Sequence, residues 1–125
     1  MLKAIIVDDE QNSRENLTFL LKEHCNGIEI IGTAGSVSEA IIEISAKNPD
    51  IVFLDIEIGE GSGFDVLEKM TGMRAEVIFI TAFNQYAVKA FKFAAIDYLL
   101  KPVDIQEIYA DVSKRHRKSL DKLGR

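Results

Sequence analysis

Ile51-Val52-Phe53-Leu54-Asp55 is a run of four apolar residues closed by a carboxylate. Pro49-Asp50 precedes it and a loop holding Gly59, Gly61 and Gly63 follows. A run this short between turn signals reads as a central parallel strand covered on both faces. Such strands hand their next residue to the rim where open α/β sheets bind ligands, so Asp55 is expected at the mouth of the sheet.

Working outward, apolar runs and helical patterns alternate five times, the mark of βαβ units on a parallel sheet. Ala4 to Val7 is the first strand and ends at Asp8, Asp9 and Glu10. The spacing from Asn12 to Glu15 predicts a helix start; Leu17, Leu20, Leu21 and His24 continue along one face until Gly27. Ile28, Ile30 and Ile31 make the second strand. Ser36, with Glu39 three residues on, opens a helix whose buried stripe is Val37, Ala40, Ile41 and Ile44. Ser62 caps a third helix that turns Phe64, Leu67 and Met70 inward. Val77 to Ile80 is the fourth strand, closed by Thr81 and Ala82. A helix from Asn84 to Ala94 follows, with Ala87, Ala90, Phe91 and Ala94 expected in the core and Tyr86, Val88 and Phe93 left as surplus apolar surface. Tyr98 to Leu100 is the fifth strand, ending at Lys101-Pro102. Asp104 and Glu107 begin a last helix with Ile105, Ile108 and Val112 inward. Right-handed crossovers then give a flavodoxin-like, doubly wound five-stranded parallel sheet of order 2-1-3-4-5, with helices on both faces.

Composition bounds the function. At 125 residues, 47% hydrophobic and 28% charged, the chain has room for one domain and one core. A net charge of −5 excludes a sequence-independent attraction to nucleic acid or anionic membrane. A lone cysteine, Cys25, with no signal peptide and no long apolar span predicts a reducing, cytoplasmic setting. Cys25 itself reads as a small buried residue at a helix end. The basic run Lys114 to Lys118 (KRHRK) reads as a helix terminus leading into a linker rather than a DNA contact. His24 and His116 are not placed near the acidic rim.

With order 2-1-3-4-5, Asp8, Asp9 and Asp55 converge on one crevice flanked by Thr81 and Lys101. Like charges so placed either hold a proton or share a cation. Oxygen ligands without His or Cys suit Mg²⁺. Lys101 supplies a point charge and Thr81 a hydroxyl for the oxygens of a phosphoryl group, and Asp55 is the candidate nucleophile that would form an aspartyl phosphate. Taken singly, an Asp at a strand-to-helix junction is more often a cap. Five such residues on one rim are harder to assign that way.

The motifs VDDE (Val7 to Glu10), FLDIEIGEGSG (Phe53 to Gly63), FITAF (Phe79 to Phe83) and DYLLKP (Asp97 to Pro102) together resemble those of response-regulator receiver domains. TAFNQYAVKAF and DYLLKP further resemble the receivers of LytTR-class transcription regulators. The resemblance implies that Asp55 takes phosphate from a histidine kinase. It implies that Asp8, Asp9 and Asp55, with the Glu57 carbonyl, ligate Mg²⁺, Asp9 more directly than Asp8. It implies that Thr81 and Tyr98 act as a switch, that the Lys101-Pro102 bond is cis, and that the fourth and last helices form an output face and a homodimer surface. A receiver over residues 1–120, a tail or linker start at 121–125 and a DNA-binding domain beyond are the expected organisation. The pattern departs at Gly59, where the family usually has proline; glycine there predicts a loop that costs more to order. The Glu57 side chain reads either as a group facing the phosphoryl entrance or as a solvated loop charge. A phosphorylation-independent binding module and a Mg²⁺-dependent phosphatase are the competing functional classes.

Overall fold

The computed structural model describes the backbone of residues 1–123 and the side chains of residues 1–114. The elements run β1 (Leu2–Val7), α1 (Gln11–His24), β2 (Ile28–Ala34), α2 (Val37–Lys47), β3 (Ile51–Leu54), β4 (Glu57–Ile58), β5 (Gly61–Ser62), α3 (Gly63–Lys69), β6 (Glu76–Thr81), α4 (Ala87–Lys92), β7 (Asp97–Leu100) and α5 (Ile105–Leu123). Strands β2-β1-β3-β6-β7 form one sheet, all pairs parallel, while β4 and β5 form a separate two-residue hairpin. With the hairpin set aside, this is the expected 2-1-3-4-5 order.

The period of two in the strands divides the core. Ile51 and Phe53 of β3 point to one side with Ala4, Ile6, Ile78, Ile80 and Leu99, where Leu17 and Leu21 of α1 and Ile108 and Val112 of α5 cover them. Val52 and Leu54 point to the other with Ile5, Val7, Val77 and Phe79, beneath Ala40 and Ile44 of α2, Phe64 and Leu67 of α3 and Ala90 of α4. Both faces of β3 are therefore buried, which is why its four residues are all apolar.

The helix starts follow local chemistry. The Ser36 hydroxyl accepts from the Glu39 N–H at 3.1 Å, and Glu39 reaches back to the Gly35 N–H. Ser62 and Asp65 form a full capping box at α3. Asp104 opens α5 by accepting from the Gln106 N–H at 2.9 Å. Cys25 is buried at the C-terminus of α1, and burial pushes its thiol pKa up. His24 is exposed rather than on the inward face.

The segment from Asn84 to Ala94 departs from expectation. Only Ala87–Lys92 is helical, and the apolar residues divide differently. The Tyr86 and Phe93 rings sit 6.2 and 5.4 Å from the Phe64 ring and pack on the core, while Phe91 is 60% and Val88 74% exposed. The reason is the aromatic anchor on α3: with Tyr86 and Phe93 turned toward Phe64, residues 88 and 91, one helical turn apart, face outward. Ala94, expected in the core, is exposed at φ +60 and ends the segment. Of the Lys114–Lys118 run, the side chains beyond Lys114 lie outside the described residues, as do residues 124 and 125 of the expected tail.

Candidate functional site

Parallel strands β1, β3, β6 and β7 all end on the same rim, so their following residues arrive together. Asp8 comes from the end of β1, Asp55 from β3, Thr81 from β6 and Lys101 from β7. The Asp55 N–H continues the sheet ladder to the Val7 carbonyl at 3.0 Å, and the Lys101 N–H bonds to the Thr81 carbonyl at 2.9 Å. Position on the rim is thus set by backbone pairing before any side chain acts.

The side chains then converge in part. Asp8 and Asp55 are each only 6% exposed, and Lys101 Nζ lies 2.7 Å from Asp8 Oδ2 and 3.0 Å from Asp55 Oδ2. The remaining carboxylate oxygens are also engaged. Asp8 Oδ1 accepts from the Glu10 N–H at 2.9 Å, and Asp55 Oδ1 accepts from the Ile56 N–H at 2.6 Å. Burial pushes the Asp8 carboxyl up, against Lys101 and the Glu10 N–H, which favour its charged form. For Lys101, burial pulls down, but its bonds to Asp8 and Asp55 outweigh that and the net shift is upward. Arg14 adds a bond to the Asp8 carbonyl at 2.7 Å, fixing the turn into α1.

Asp9 does not join the pair. Its carboxylate accepts from the Gly59 N–H at 2.8 Å, and among the described residues no three His, Cys, Asp or Glu side chains stand together as a metal cluster. The cause is twofold: Lys101 draws Asp8 and Asp55 to itself, while the hairpin offers Asp9 a donor. Gly59 has φ +58, a left-handed conformation closed to proline. Proline would also lack the N–H that Asp9 uses. The departure at this position therefore has a concrete consequence in the site. In donor chemistry, two buried carboxylates side by side, a third on the adjoining loop and no nitrogen or sulfur ligand fit a hard cation such as Mg²⁺.

The remaining candidates make bonds of their own, outside the Lys101 contacts. Thr81 is fully buried, its hydroxyl 3.4 Å from the Phe83 N–H. The half-buried Tyr98 donates its hydroxyl to the Phe83 carbonyl, and its ring lies tilted with its centroid 6.1 Å from that of Phe79. Glu57 is exposed, and its carboxylate accepts from the Tyr86 hydroxyl at 3.4 Å, tying the hairpin to the segment before α4. The Lys101-Pro102 bond is cis. Beneath Lys101 lies a cavity of about 190 Å³ bounded by Asp8, Asp55, Ser13, Asn16 and apolar residues of β1, β3 and α1.

One residue escaped the sequence reading. A Cβ on Gly63 would stand 2.3 Å from the Asp55 carbonyl oxygen, and the Gly63 N–H bonds to the Ile56 carbonyl at 2.7 Å. Glycine lets α3 begin directly against the Asp55 backbone. The glycine spacing after Asp55 was the available signal.

Known proteins share this fold. A family model described as the response regulator receiver domain matches residues 4–113. The chain belongs to that family. It is 44% identical over 117 residues to the sensory transduction protein LytT of Bacillus cereus, covering 91% of this chain and 47% of that protein. It is 36% identical to LytT of Bacillus subtilis, covering 97% and 51%. The receiver thus spans about half the length of these curated relatives. Among solved structures, a response regulator receiver domain protein from Clostridium thermocellum superposes with a TM-score of 0.83 at 29% identity, covering 96% of this chain and 98% of that one. Among the described residues, no helix of this receiver is long and apolar enough to cross a membrane.

Proposed function

We propose that this receiver accepts a phosphoryl group on Asp55 from the phosphohistidine of a sensor histidine kinase. The observation that carries the reading is the single ammonium of Lys101 bonded at once to two buried carboxylates on the sheet rim. In the transfer, a carboxylate oxygen of Asp55 forms the new O–P bond as the P–N bond of the donor breaks. The bonding pair leaves with the imidazole nitrogen, which takes up a proton. Lys101 moves with the charge: it neutralises Asp55 beforehand and a phosphoryl oxygen afterwards, with no new group to recruit. The Ile56 N–H holds Asp55 in a fixed orientation. Asp8, Asp9 and Asp55 with the Glu57 carbonyl are the groups that would hold Mg²⁺, which when bound supplies neutralising charge for the phosphoryl oxygens.

Phosphorylation adds about −1.5 to −2 of charge and strong acceptor oxygens. Thr81 answers with its hydroxyl, and Tyr98 follows because both bond to Phe83, through its N–H and its carbonyl. That shared residue leads into α4. The output face then lies on α4, β7 and α5, where Val88, Phe91, Leu100 and Tyr109 are exposed, and a homodimer through α4 and α5 would cover them. A DNA-binding effector belongs to the part of a full-length regulator that this chain does not span.

The test is incubation with Mg²⁺ and acetyl phosphate, read by intact mass. One phosphoryl adduct is expected on the wild type and none on Asp55→Asn. No adduct on the wild type, or an adduct that survives Asp55→Asn, overturns the reading; the former leaves a phosphorylation-independent binding module.

A further inference from the structure

A second acid pair lies away from the rim, beneath α5. Asp111 is 3% exposed and sits between Ile108 and Val112, which are core residues on that face of the sheet. Its Oδ2 is enclosed, with no hydrogen-bond partner among the described residues. Among the described residues, the side chain that bears on Asp111 through a hydrogen bond is another carboxyl, Asp97, at the start of β7. Asp97 is itself anchored, its Oδ1 accepting from the Tyr98 N–H at 2.7 Å. The charged groups facing Asp111 are Asp97 from β7 and Glu107 and Lys114 from α5. Lys114 is exposed and its charge lowers Asp111, but among the described residues no ion pair joins Asp111 as Lys101 joins Asp8 and Asp55.

Two carboxylates cannot bond to one another unless one keeps its proton, because an ionised carboxyl only accepts. A buried oxygen without a donor is costly, and a buried unpaired charge costs more still. We propose that Asp111 and Asp97 form a proton-binding site: one proton, carried by Asp111 and donated to Asp97, fastens α5 to the start of β7, and its release loosens that seat. Burial first, then the hydrogen bond and charge of Asp97, push Asp111 up to about 7 from the usual 3.8. The folded state therefore holds a proton that the unfolded chain releases. The stabilisation is complete below the unfolded pKa, falls as pH rises from there, and is gone above the folded pKa near 7. Since Tyr98 follows Asp97 directly and bonds to the Phe83 carbonyl, the seat of α5 is joined through β7 to the loop after Thr81. The site stands apart from Asp55 and does not rest on phosphoryl transfer.

Thermal unfolding of the chain between about pH 5 and about pH 8, beside Asp111→Asn, tests it. The amide of asparagine can donate to Asp97 at every pH. The wild-type midpoint is expected to fall relative to the variant by about 5 °C or more across that window. Backbone amide exchange around Asp111 should accelerate over the same range beyond its intrinsic rise, and not in the variant. Asp97→Asn should flatten the profile in the same way and serves if Asp111→Asn does not fold. Parallel profiles for wild type and variants would overturn the proposal. If neither variant folds, the Asp111 carboxyl is titrated in the wild type by NMR. A midpoint near 7 supports the site, and one in the ordinary carboxylate range removes it.

Discussion

Asp8 with Asp55 on the rim and Asp97 with Asp111 under α5 are two acid pairs; burial pushes Asp8 and Asp111 up alike, and the pairs differ in what stands against that push. The rim pair has Lys101 within 3.0 Å of both members, and that ammonium works with the Glu10 N–H against the burial that pushes Asp8 up. Among the described residues the pair under α5 has no ion-pair partner, only the more distant charge of Lys114, and is expected to carry a proton. Burial alone therefore does not say what a carboxyl is for; the neighbouring compensator does.

The strongest way to break this contrast is Lys101→Met, which keeps the apolar stem and deletes the ammonium. Two buried carboxylates would then keep only their main-chain N–H donors and no cation, and loss of one partner from a buried ion pair costs about 3 kcal/mol near pH 7. The rim pair should now behave like the other and take up a proton, so the variant should regain stability in acid. Urea unfolding at about pH 5 and about pH 8 reads this directly. A loss of equal size at both would mean that Lys101 matters for packing and not for charge.

Gly63→Ala probes the backbone that holds the rim pair. The added methyl would meet the Asp55 carbonyl oxygen at 2.3 Å, and backbone rather than a flexible side chain must move. A loss of about 2 kcal/mol is expected, as for other overpacked core sites, measured as a lower urea midpoint with unchanged slope. An unaffected midpoint would show that α3 can slide away from β3 without cost.

The architecture was legible because its signals are local. Strand runs, the Ser36 and Ser62 caps and the two-sided apolarity of β3 follow from nearest neighbours in the chain, and the 2-1-3-4-5 order from the alternation of elements. The meeting of Asp8, Asp55 and Lys101 followed from that order. What stayed hidden depends on which side chain reaches which. Phe91 and Tyr86 exchanged their expected places because Phe64, distant in sequence, draws Tyr86 inward. Asp9 left the cluster because a turn fifty residues away offered an N–H. Asp111 did give a hint, an acid directly before the inward Val112 and three residues after the inward Ile108, but its partner on β7 could not be named without coordinates.

Asp9 adds a third case to the comparison, since its compensator is neither a cation nor a proton but the Gly59 main-chain N–H at 2.8 Å. That donor is aimed by a left-handed turn, φ +58 at Gly59, with open space where a Cβ would stand. Gly59→Ala therefore meets no clash and keeps the N–H, so its cost is only that of an L-residue in this conformation, about 1 kcal/mol. Thermal unfolding should show a drop of a few degrees, the smallest of these effects. A drop no larger than that of an ordinary surface substitution would mean that the turn relaxes to negative φ and lets Asp9 go. Asp9 would then be as free to turn toward Asp8 and Asp55 as the expected three-carboxylate arrangement requires.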